Sequence, residues 1–414
     1  MVAYIPLPKL YFQDKAPDRD IKILMEAERR LHEWSSFRTG IEIKRGEIFL
    51  AVPRQLSVLS EQLLRAERKV SQLWHRLPGI AQQAYLRGLI MDEIVSTNEI
   101  EGVYSTRRQI DEALESVLSD QPSIETKKFR EFAKLYLQLT EKSHLYPKTP
   151  ADIREIYDAV VAGELKETQQ PDGELFRKEA VDVVAPTQKV LHQGVLPEAK
   201  IIRMLEQMIL LADSPDIPPL FAAIITHFLF EYIHPFYDGN GRTGRYLLAL
   251  YLTEPLSLAT VLSLSKVIAE NKSRYYKSFE MAENPKNYAE LTFFVIQMLE
   301  FIRSAQNEEM ENLENKEALL KKAQNALDSF SREPYFLSPR EVKIMFMAVQ
   351  NHLFGAFSEI SLADISRYEK ISKQTTRKHT IKLEEKGLLK PVSLKPLKFL
   401  LTQQALTVFD IADG

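Results

Sequence analysis

The stretch from His234 to Arg245 brings together residue types that could bind and act on a phosphate group. It reads His-Pro-Phe-Tyr-Asp-Gly-Asn-Gly-Arg-Thr-Gly-Arg. Pro235 ends the helix predicted before it, and the alternation of glycine with short polar residues lets consecutive backbone N–H groups point into one concavity. A helix predicted from Arg242 to Leu252 would add its N-terminal dipole at the same place. We therefore expect an anion-binding loop here.

Charged and titratable side chains of the same stretch add chemistry to this loop. His234 carries an imidazole, whose ordinary pKa suits a general base near neutral pH. Asp238 is a hard oxygen ligand of the kind that a phosphate-bound Mg²⁺ takes. Arg242 and Arg245 lie one helical turn apart and can supply positive charge to a polyphosphate. A base, a metal ligand and two cations thus accompany the anion site.

Two other interpretations of the stretch fail. The run from Gly239 to Gly244 has the spacing G-x-G-x-x-G of a dinucleotide-binding turn, but it follows a predicted helix instead of a strand, and no acid stands about twenty residues further on. A calcium loop that begins at Asp238 would need glycine where Thr243 stands and glutamate where Ala249 stands. Neither interpretation is kept.

The composition is that of an ordinary globular protein. A chain of 414 residues exceeds what a single core usually fills, so we expect more than one domain. Hydrophobic residues at 45%, charged residues at 27% and a net charge of −3 give no overall bias toward nucleic acid or membrane. The absence of cysteine excludes disulfides, thiolate zinc sites and cysteine nucleophiles, and it fits a reducing compartment.

No segment has the pattern of a membrane span or a secretion signal. Prolines near the N-terminus interrupt the apolar run that a signal needs, so we expect a cytoplasmic protein with no membrane partner. The most apolar segment, residues 218–233, is broken by His227 and Glu231 and is too short for a bilayer, which favours a buried helix. Isolated histidines such as His227 and His192 are more typical of structural positions, and we assign them no catalytic role.

The periodicity of apolar residues predicts a mostly α protein. The exception is a pair of short β-prone runs, Val181–Pro186 and Lys189–His192, which we interpret as a β-hairpin. The predicted helical segments are Ile21–Trp34, Leu56–Trp74, Ile80–Val95, Ile153–Val161, Ile201–Leu211 and Leu291–Ile302.

A charged stretch, residues 307–322, precedes a C-terminal module with its own pattern. Ser361 opens a short helix, Ser372 caps a longer one that runs to Glu385, and Gly387 stops it. Two strands follow, and this order is typical of a winged helix. Basic residues outnumber acidic ones in the module, which leaves both DNA binding and protein docking open. The two predicted strands are Leu388–Val392 and Leu397–Thr402.

The stretch from His234 to Arg245 resembles the signature of the Fic family, H-P-F-x-D/E-G-N-G-R-x-x-R, and matches it at every fixed position. The resemblance covers about Leu56 to Ile302 and implies an all-helical core whose two central helices hold the signature loop. It implies a protein adenylyltransferase, a nucleotidyltransferase that moves AMP from ATP to a Ser, Thr or Tyr hydroxyl of a target protein or of the enzyme itself.

The resemblance also implies roles for single residues. His234 would deprotonate the target hydroxyl, which attacks the α-phosphate, and Asp238 would hold Mg²⁺. Arg242 would bind the β-phosphate and Arg245 the γ-phosphate. The residues that would cradle the α-phosphate are Gly239, Asn240 and Gly241, and Phe236 would be a packing anchor.

Three further features resemble parts of Fic proteins. The run Thr97–Gly102 is similar to their inhibitory motif S/T-x-x-x-E-G/N, in which Glu101 would pair with Arg245 and misalign ATP. The hairpin at residues 182–192 stands where Fic proteins carry a flap that holds the target segment by strand addition. Tyr276 stands in a segment similar to their adenine-side helix.

These features predict an N-terminal helical extension at 1–55, a Fic-type catalytic core with its inhibitory helix at 56–305, a linker or connecting helix at 306–335 and a winged-helix-like domain at 336–414. Two other functions stay open: a DNA-binding regulator with a nucleotide-sensing Fic domain, and an enzyme that removes AMP with the same site. The target protein, self-modification and a homodimer are also left open by the sequence.

Overall fold

The computed structural model describes residues 4–119, 127–141, 145–166, 169–184, 190–329 and 337–411. Most of them are helical, so the prediction of a mostly α chain is confirmed. The chain forms two compact units. The first unit comprises Met1–Glu67 and Ile90–Gln306, and the second comprises Arg68–Leu89 and Asn307–Gly414.

The elements up to the signature stretch begin with two helices and a hairpin, followed by helices on both sides of a second hairpin. In chain order they are α1 Leu7–Gln13, α2 Arg19–Leu31, β1 Ser36–Ile43, β2 Gly46–Ala51, α3 Arg54–Arg76, α4 Gly79–Ile100, α5 Arg107–Leu118, α6 Lys127–Thr140, α7 Pro150–Val160, β3 Asp182–Val184, β4 Val190–Gln193, α8 Glu198–Ala212 and α9 Pro219–Ile233.

The remaining elements are helical until the last part of the second unit, where three short strands occur. They are α10 Asn240–Leu252, α11 Leu258–Val261, α12 Leu264–Glu270, α13 Lys272–Ala282, α14 Thr292–Ser329, α15 Pro339–Phe354, β5 Ile360–Ser361, α16 Leu362–Glu369, α17 Lys373–Glu385, β6 Leu389–Leu394, β7 Leu397–Leu401 and α18 Gln403–Val408.

Helices α9 and α10 form the centre of the first unit. The residues of α9 from Leu220 to Phe230 are all buried, as are nearly all residues of α10. The ring of Phe228 on α9 packs against the rings of Phe279 and Phe294, with centroid distances of 6.1 and 5.3 Å. A helix that is apolar all round is stable only inside a core, so this pair gives the signature stretch a rigid support.

The N-terminal extension is not wholly helical, which corrects the expectation for residues 1–55. After α2 the chain forms the antiparallel hairpin β1–β2, in which Phe37 pairs with Leu50. Aromatic and β-branched residues favour strands here, and Gly46 adopts a φ of 124° at the turn, which only glycine tolerates well. Leu291 donates its N–H to the carbonyl of Phe49 at 2.9 Å, so β2 is bound to the start of α14.

The hairpin predicted around residues 181–192 is present as strands β3 and β4. They pair antiparallel, with Asp182 opposite Gln193 and Val183 opposite His192. The turn predicted at residues 186–188 lies outside the described residues. The hairpin joins the body of the unit at its base, where Gly194 donates its N–H to the carbonyl of Val181 at 2.9 Å.

The second unit combines the C-terminal helices and strands with residues 68–89. Its strands form one sheet in the order β5-β7-β6, and Ser361 and Ser372 cap α16 and α17 as predicted. The hydroxyl of Tyr85 donates to Glu309 Oε2 at 2.8 Å, and its ring packs edge-on against that of Phe354 with centroids 6.1 Å apart. Residues far apart in sequence therefore share one core.

Across the described residues, the helices are too short or too polar for any of them to cross a lipid bilayer.

We expect Phe354→Ala to destabilise the second unit by about 3–5 kcal/mol, because it removes a buried ring and leaves a cavity beside Tyr85. Trp74 lies 6.1 Å from the ring of Tyr85, whereas Trp34 is already fully exposed, so tryptophan fluorescence reports this unit. The measurement is the urea midpoint followed by that emission. Phe12→Ala is the control, since Phe12 is 61% exposed. An equal loss of stability in both variants would contradict the packing of Phe354.

Candidate functional site: the loop between α9 and α10

His234 directly follows α9, and its backbone turns the chain out of the helix. It adopts a left-handed conformation with φ 50° and ψ 62°, which is uncommon for a residue with a side chain, and its N–H donates to the carbonyl of Phe230 at 3.0 Å. Pro235 prevents the helix from continuing. The sequence therefore specifies this turn, and the turn fixes the position from which the His234 side chain projects.

The imidazole of His234 is held in one tautomer. Its Nδ1 lies 3.3 Å from the carbonyl oxygen of Glu231, and because a carbonyl only accepts, Nδ1 carries the hydrogen. The lone pair is then on Nε2. Desolvation lowers the pKa of His234 to about 3, so the ring is neutral at physiological pH. A neutral imidazole with an available Nε2 is a ready proton acceptor.

Arg177 secures the backbone around this turn. Its side chain is fully buried, and its guanidinium donates to the carbonyls of His234, Glu179 and Val195 at 2.8, 2.8 and 3.0 Å. Its own N–H donates to the carbonyl of Pro235 at 3.2 Å. Desolvation lowers the pKa of Arg177. This arginine binds the end of α9 to the base of the β3–β4 hairpin, and no sequence signal identified it beforehand.

The loop itself is closed by the side chain of Asn240. Its Oδ1 accepts from the N–H of Phe236 at 3.0 Å, and its Nδ2 donates to the carbonyl of the same residue at 2.8 Å. Phe236 is buried and stacks on Tyr157 with ring centroids 3.5 Å apart, as expected of a packing anchor. Gly239 has a φ of 78°, and a Cβ there would lie 2.5 Å from a methyl carbon of Val161. Only glycine fits that position.

The start of α10 presents backbone donors to an anion. The first N–H groups of a helix have no acceptor within it, and here they belong to Asn240, Gly241 and Arg242. At Gly241 any side chain would collide with the carboxylate of Glu101. The Glu101 carboxylate therefore lies directly over the place where the loop and the helix dipole favour negative charge.

Arg245 is the cation beneath this carboxylate. Its Nη2 lies 2.8 Å from Glu101 Oε1, its Nε donates to Thr97 Oγ1 at 2.7 Å, and Nη2 also donates to the Thr97 carbonyl at 3.0 Å. The guanidinium is only 2% exposed, and Glu101 is 31% exposed. Desolvation opposes its charge most strongly, but Glu101, Tyr275 and Glu231 together outweigh desolvation and raise the pKa of Arg245. The structure thus brings together the two residues that the sequence pattern paired.

Arg242 is also paired with a carboxylate. Its Nη1 lies 2.7 Å from Glu164 Oε2, and the guanidinium is buried. The Nε of Arg242 and the Oε1 of Glu164 have no hydrogen-bond partner among the described atoms, so the pair is joined through one contact only. Sequence reasoning missed Glu164, because nothing in its neighbourhood marks it.

Asp238 lies exposed at the rim of the loop. Its Oδ1 accepts from the N–H of Gly239 at 2.6 Å and its Oδ2 accepts from Gln169 Nε2 at 2.8 Å. In the described part of the chain, no group of three or more acidic or histidine side chains could hold a metal ion. A single carboxylate still fits Mg²⁺, which often takes one protein ligand and completes its shell with phosphate oxygens and water.

Helix α13 borders the same site. Tyr276 is half-buried and lies edge-on to Tyr275, with ring centroids 5.4 Å apart, and desolvation and then Glu101 raise its pKa to about 12. His227 joins α10 to α13, since its Nδ1 contacts the carbonyl of Gly244 at 3.1 Å and its Nε2 contacts Tyr275 Oη at 2.8 Å. Desolvation lowers the pKa of His227 to about 3, which agrees with a structural position.

Glu231 is a further buried acid that the sequence reasoning did not single out. Its Oε1 has no hydrogen-bond partner among the described atoms, and it lies where a side chain at Gly244 would collide with it. Desolvation raises the pKa of Glu231 to about 8, a shift that Glu101 reinforces and Arg245 opposes. Two acidic side chains therefore lie close to Arg245, and desolvation favours the neutral form of Glu231.

Comparison with known proteins relates the region around the loop to a protein family. Residues 147–252, which contain α9, the loop and α10, match the model of the Fic/DOC family. At the level of this domain the chain is Fic-like, as the signature indicated.

The similarity of this chain to individual proteins is limited in sequence identity or in coverage. A probable protein adenylyltransferase of Aquifex aeolicus is 44% identical over 61 residues, which span 15% of this chain and 17% of that protein. A Fic family protein from Desulfovibrio desulfuricans G20 shares 19% identity over 82% of this chain and 95% of its own, with a TM-score of 0.48. A fragment of Fic-1 from C. elegans shares 20% identity over 63% of this chain and 74% of its own, with a TM-score of 0.44.

We expect Arg177→Met to lower the free energy of unfolding of the first unit by about 3 kcal/mol or more, because several buried carbonyls lose their donor at about 1–3 kcal/mol each. Urea unfolding followed by far-ultraviolet circular dichroism measures the change. Arg65→Met is the matched control, since the Arg65 side chain is 72% exposed and pairs with Glu61 on the same helix. An Arg177 variant as stable as this control would show that the carbonyls find other donors.

Proposed function

We propose that this chain is a protein adenylyltransferase that transfers AMP from ATP to a Ser, Thr or Tyr hydroxyl of a target protein or of itself. The observation that carries the proposal is the placement of a neutral His234, with Nε2 available, beside the anion-binding start of α10. The Fic/DOC match of residues 147–252 supports it at the level of the domain, and the name of the Aquifex relative supports the type of transfer.

The reaction is an in-line displacement at the α-phosphorus. The target hydroxyl oxygen attacks this atom while Nε2 of His234 takes the hydroxyl proton. A new bond forms between that oxygen and phosphorus, and the bond to the bridging oxygen of the β-phosphate breaks. Pyrophosphate leaves with the electron pair of that bond. The Nδ1 proton stays on the ring because the main-chain carbonyl of Glu231 accepts its hydrogen bond, so the ring becomes doubly protonated, and loss of the Nε2 proton to solvent would restore the base for the next turnover.

Positive groups would hold the triphosphate during this step. The N–H groups of Asn240, Gly241 and Arg242 would bind the α-phosphate, and the guanidinium groups of Arg242 and Arg245 would bind the β- and γ-phosphates. Asp238 would hold Mg²⁺, which neutralises phosphate charge when bound. Both guanidinium groups now contact carboxylates, so the phosphates must displace Glu164 and Glu101 to reach them.

The Glu101 contact would make the enzyme autoinhibited. Glu101 covers Gly241 and neutralises Arg245, and Thr97 fixes the guanidinium from the other side. ATP that binds while Glu101 stays in place lacks the cation for its γ-phosphate. Its α-phosphate is then out of line with the attacking hydroxyl, and small errors in alignment cost large factors in rate.

The flap and Tyr276 complete the proposal. Strands β3 and β4 would present an edge to which an extended target segment could add, next to His234. Tyr276 would line the adenine side, since α13 lies beside Glu101 and Arg245. The catalytic role proposed for His234 does not depend on either assignment.

We expect label from ATP marked at the α-phosphorus, but not at the γ-phosphorus, to become covalently attached to protein. His234→Ala should abolish the transfer and leave ATP affinity within several-fold, because the base acts in the transition state. His75→Ala is the control, since this exposed histidine lies on α3 in the second unit. Retention of γ-label would instead identify a kinase, and a His234 variant with full activity would exclude the base assignment.

We expect Glu101→Ala to raise the rate of transfer by about tenfold or more, since a hydrogen bond to a charged group contributes about 1.5–3 kcal/mol. Glu99→Ala, which removes an exposed acid two positions away, should leave the rate unchanged. Adding Arg245→Ala to the Glu101 variant should abolish the gain, because no γ-phosphate site is left to free. A folded Glu101 variant that is no faster than wild type would remove this residue from the mechanism.

A further inference from the structure

The basic side chains at the C-terminal end of the second unit fall into two groups. The first group is neutralised within the unit. Arg377 pairs with Glu384 at 2.5 Å, and Lys398 pairs with Glu359 at 3.1 Å. The other pairs are Arg367 with Asp364 at 3.2 Å and Lys386 with Glu341 at 3.4 Å.

The second group is exposed, and no ion pair is recorded for it in the described part of the chain. These lysines lie on the turn before α17, on α17 itself, and on the β6–β7 hairpin. Four nearby acids pair with the first group, and Glu369 and Glu385 are the other acids on α16 and α17, so six lysines face two acids and the surface keeps an excess of positive charge. The group consists of Lys370, Lys373, Lys378, Lys382, Lys390 and Lys395.

Helix α17 presents part of this charge along one face. Thr376, Thr380 and Leu383 are buried and fix which side of the helix faces the core. At 3.6 residues per turn, the opposite side carries an amide, two lysines, an apolar side chain and, in the last turn, one acid: Gln374, Lys378, Ile381, Lys382 and Glu385. This outward face therefore combines two cations with an amide and an exposed apolar side chain, and its one acid lies at the C-terminal end of the helix.

The β6–β7 hairpin extends the same charge to a second element. Lys390 and Lys395 are exposed on it, and Val392 and Leu394 between them are 42% and 80% exposed. A capped helix thus precedes a charged hairpin in the second unit, and in helix-turn-helix proteins the second helix is the one that lies in the major groove.

We propose that this surface binds duplex DNA, with α17 in the major groove and the β6–β7 hairpin on the flanking backbone. The unpaired lysines would contact phosphates, and Gln374 and Ile381 would face base edges. The phosphates of DNA repeat at regular intervals along the duplex, so they can contact lysines on both α17 and the β6–β7 hairpin. The major groove of B-form DNA admits an α-helix, whereas the deep and narrow major groove of duplex RNA does not.

The test uses the full-length protein and fluorescence anisotropy with a labelled DNA duplex of several helical turns. We expect binding at low salt, with an affinity that falls linearly on a log–log plot against salt concentration. The double variant Lys378→Ala/Lys382→Ala should weaken binding at low salt by about tenfold or more and make the slope shallower by about 2, because two phosphate contacts are lost.

A matched control separates this surface from general charge. Lys9→Ala/Lys277→Ala removes the same charge from exposed positions in the first unit and should bind as wild type does. The proposal is overturned by an absence of binding at low salt, by equal weakening in the two double variants, or by tighter binding to polyglutamate or duplex RNA than to DNA. Circular dichroism confirms that the exposed substitutions leave the fold intact.

Discussion

The guanidinium of Arg245 is buried at 2% exposure at the centre of the first unit and needs an anion beside it. A buried charge without a partner costs several kcal/mol of stability, which is more than most single interactions in a protein contribute. Glu101 supplies the anion in this structure, and Thr97 fixes the geometry of the guanidinium. The position of α4 relative to α10, and the coverage of the loop at Gly241, both follow from this requirement.

The buried arginines around the loop are compensated in two different ways. Arg177 is held by main-chain carbonyls, which have no negative charge to exchange and cannot leave without disrupting α9 or the hairpin base. Arg242 and Arg245 are held by carboxylates on side chains, Glu164 and Glu101, which in the proposed mechanism would be replaced by phosphate oxygens. The first kind of pairing is suited to permanent structure. The second kind is suited to a site that must accept a polyanion.

Sequence reasoning succeeded where the signal was local. The ends of α9 and α10 follow from Pro235 and the glycines after it, and the caps of α16 and α17 follow from Ser361 and Ser372, because each of these effects acts within one helical turn. The β1–β2 hairpin was missed, since the alternation in residues 36–51 is interrupted and helical signals flank it on both sides.

The supporting residues of the site could not be found in this way. Arg177 lies 57 positions from the carbonyl of His234 that it binds, and Glu164 lies 78 positions from Arg242. Neither has a periodic or spacing signal, since its partner is set by the packing of whole helices. The pairing of Glu101 with Arg245 was an exception, because a known motif stood in for the missing geometric information.

The charge of the site also constrains how a phosphate could enter it. Glu101 and Glu231 both lie near Arg245, but the recorded ion pair is with Glu101, and burial raises the pKa of Glu231 to about 8, which favours its neutral form. Were Glu231 ionised as well, the cation would keep a counter-ion after Glu101 left, and an arriving phosphate would meet a repelling carboxylate. With Glu231 protonated, departure of Glu101 leaves Arg245 as an unpaired buried cation, which a phosphate stabilises strongly. In the proposed mechanism, a neutral Glu231 would therefore favour the exchange of Glu101 for a phosphate.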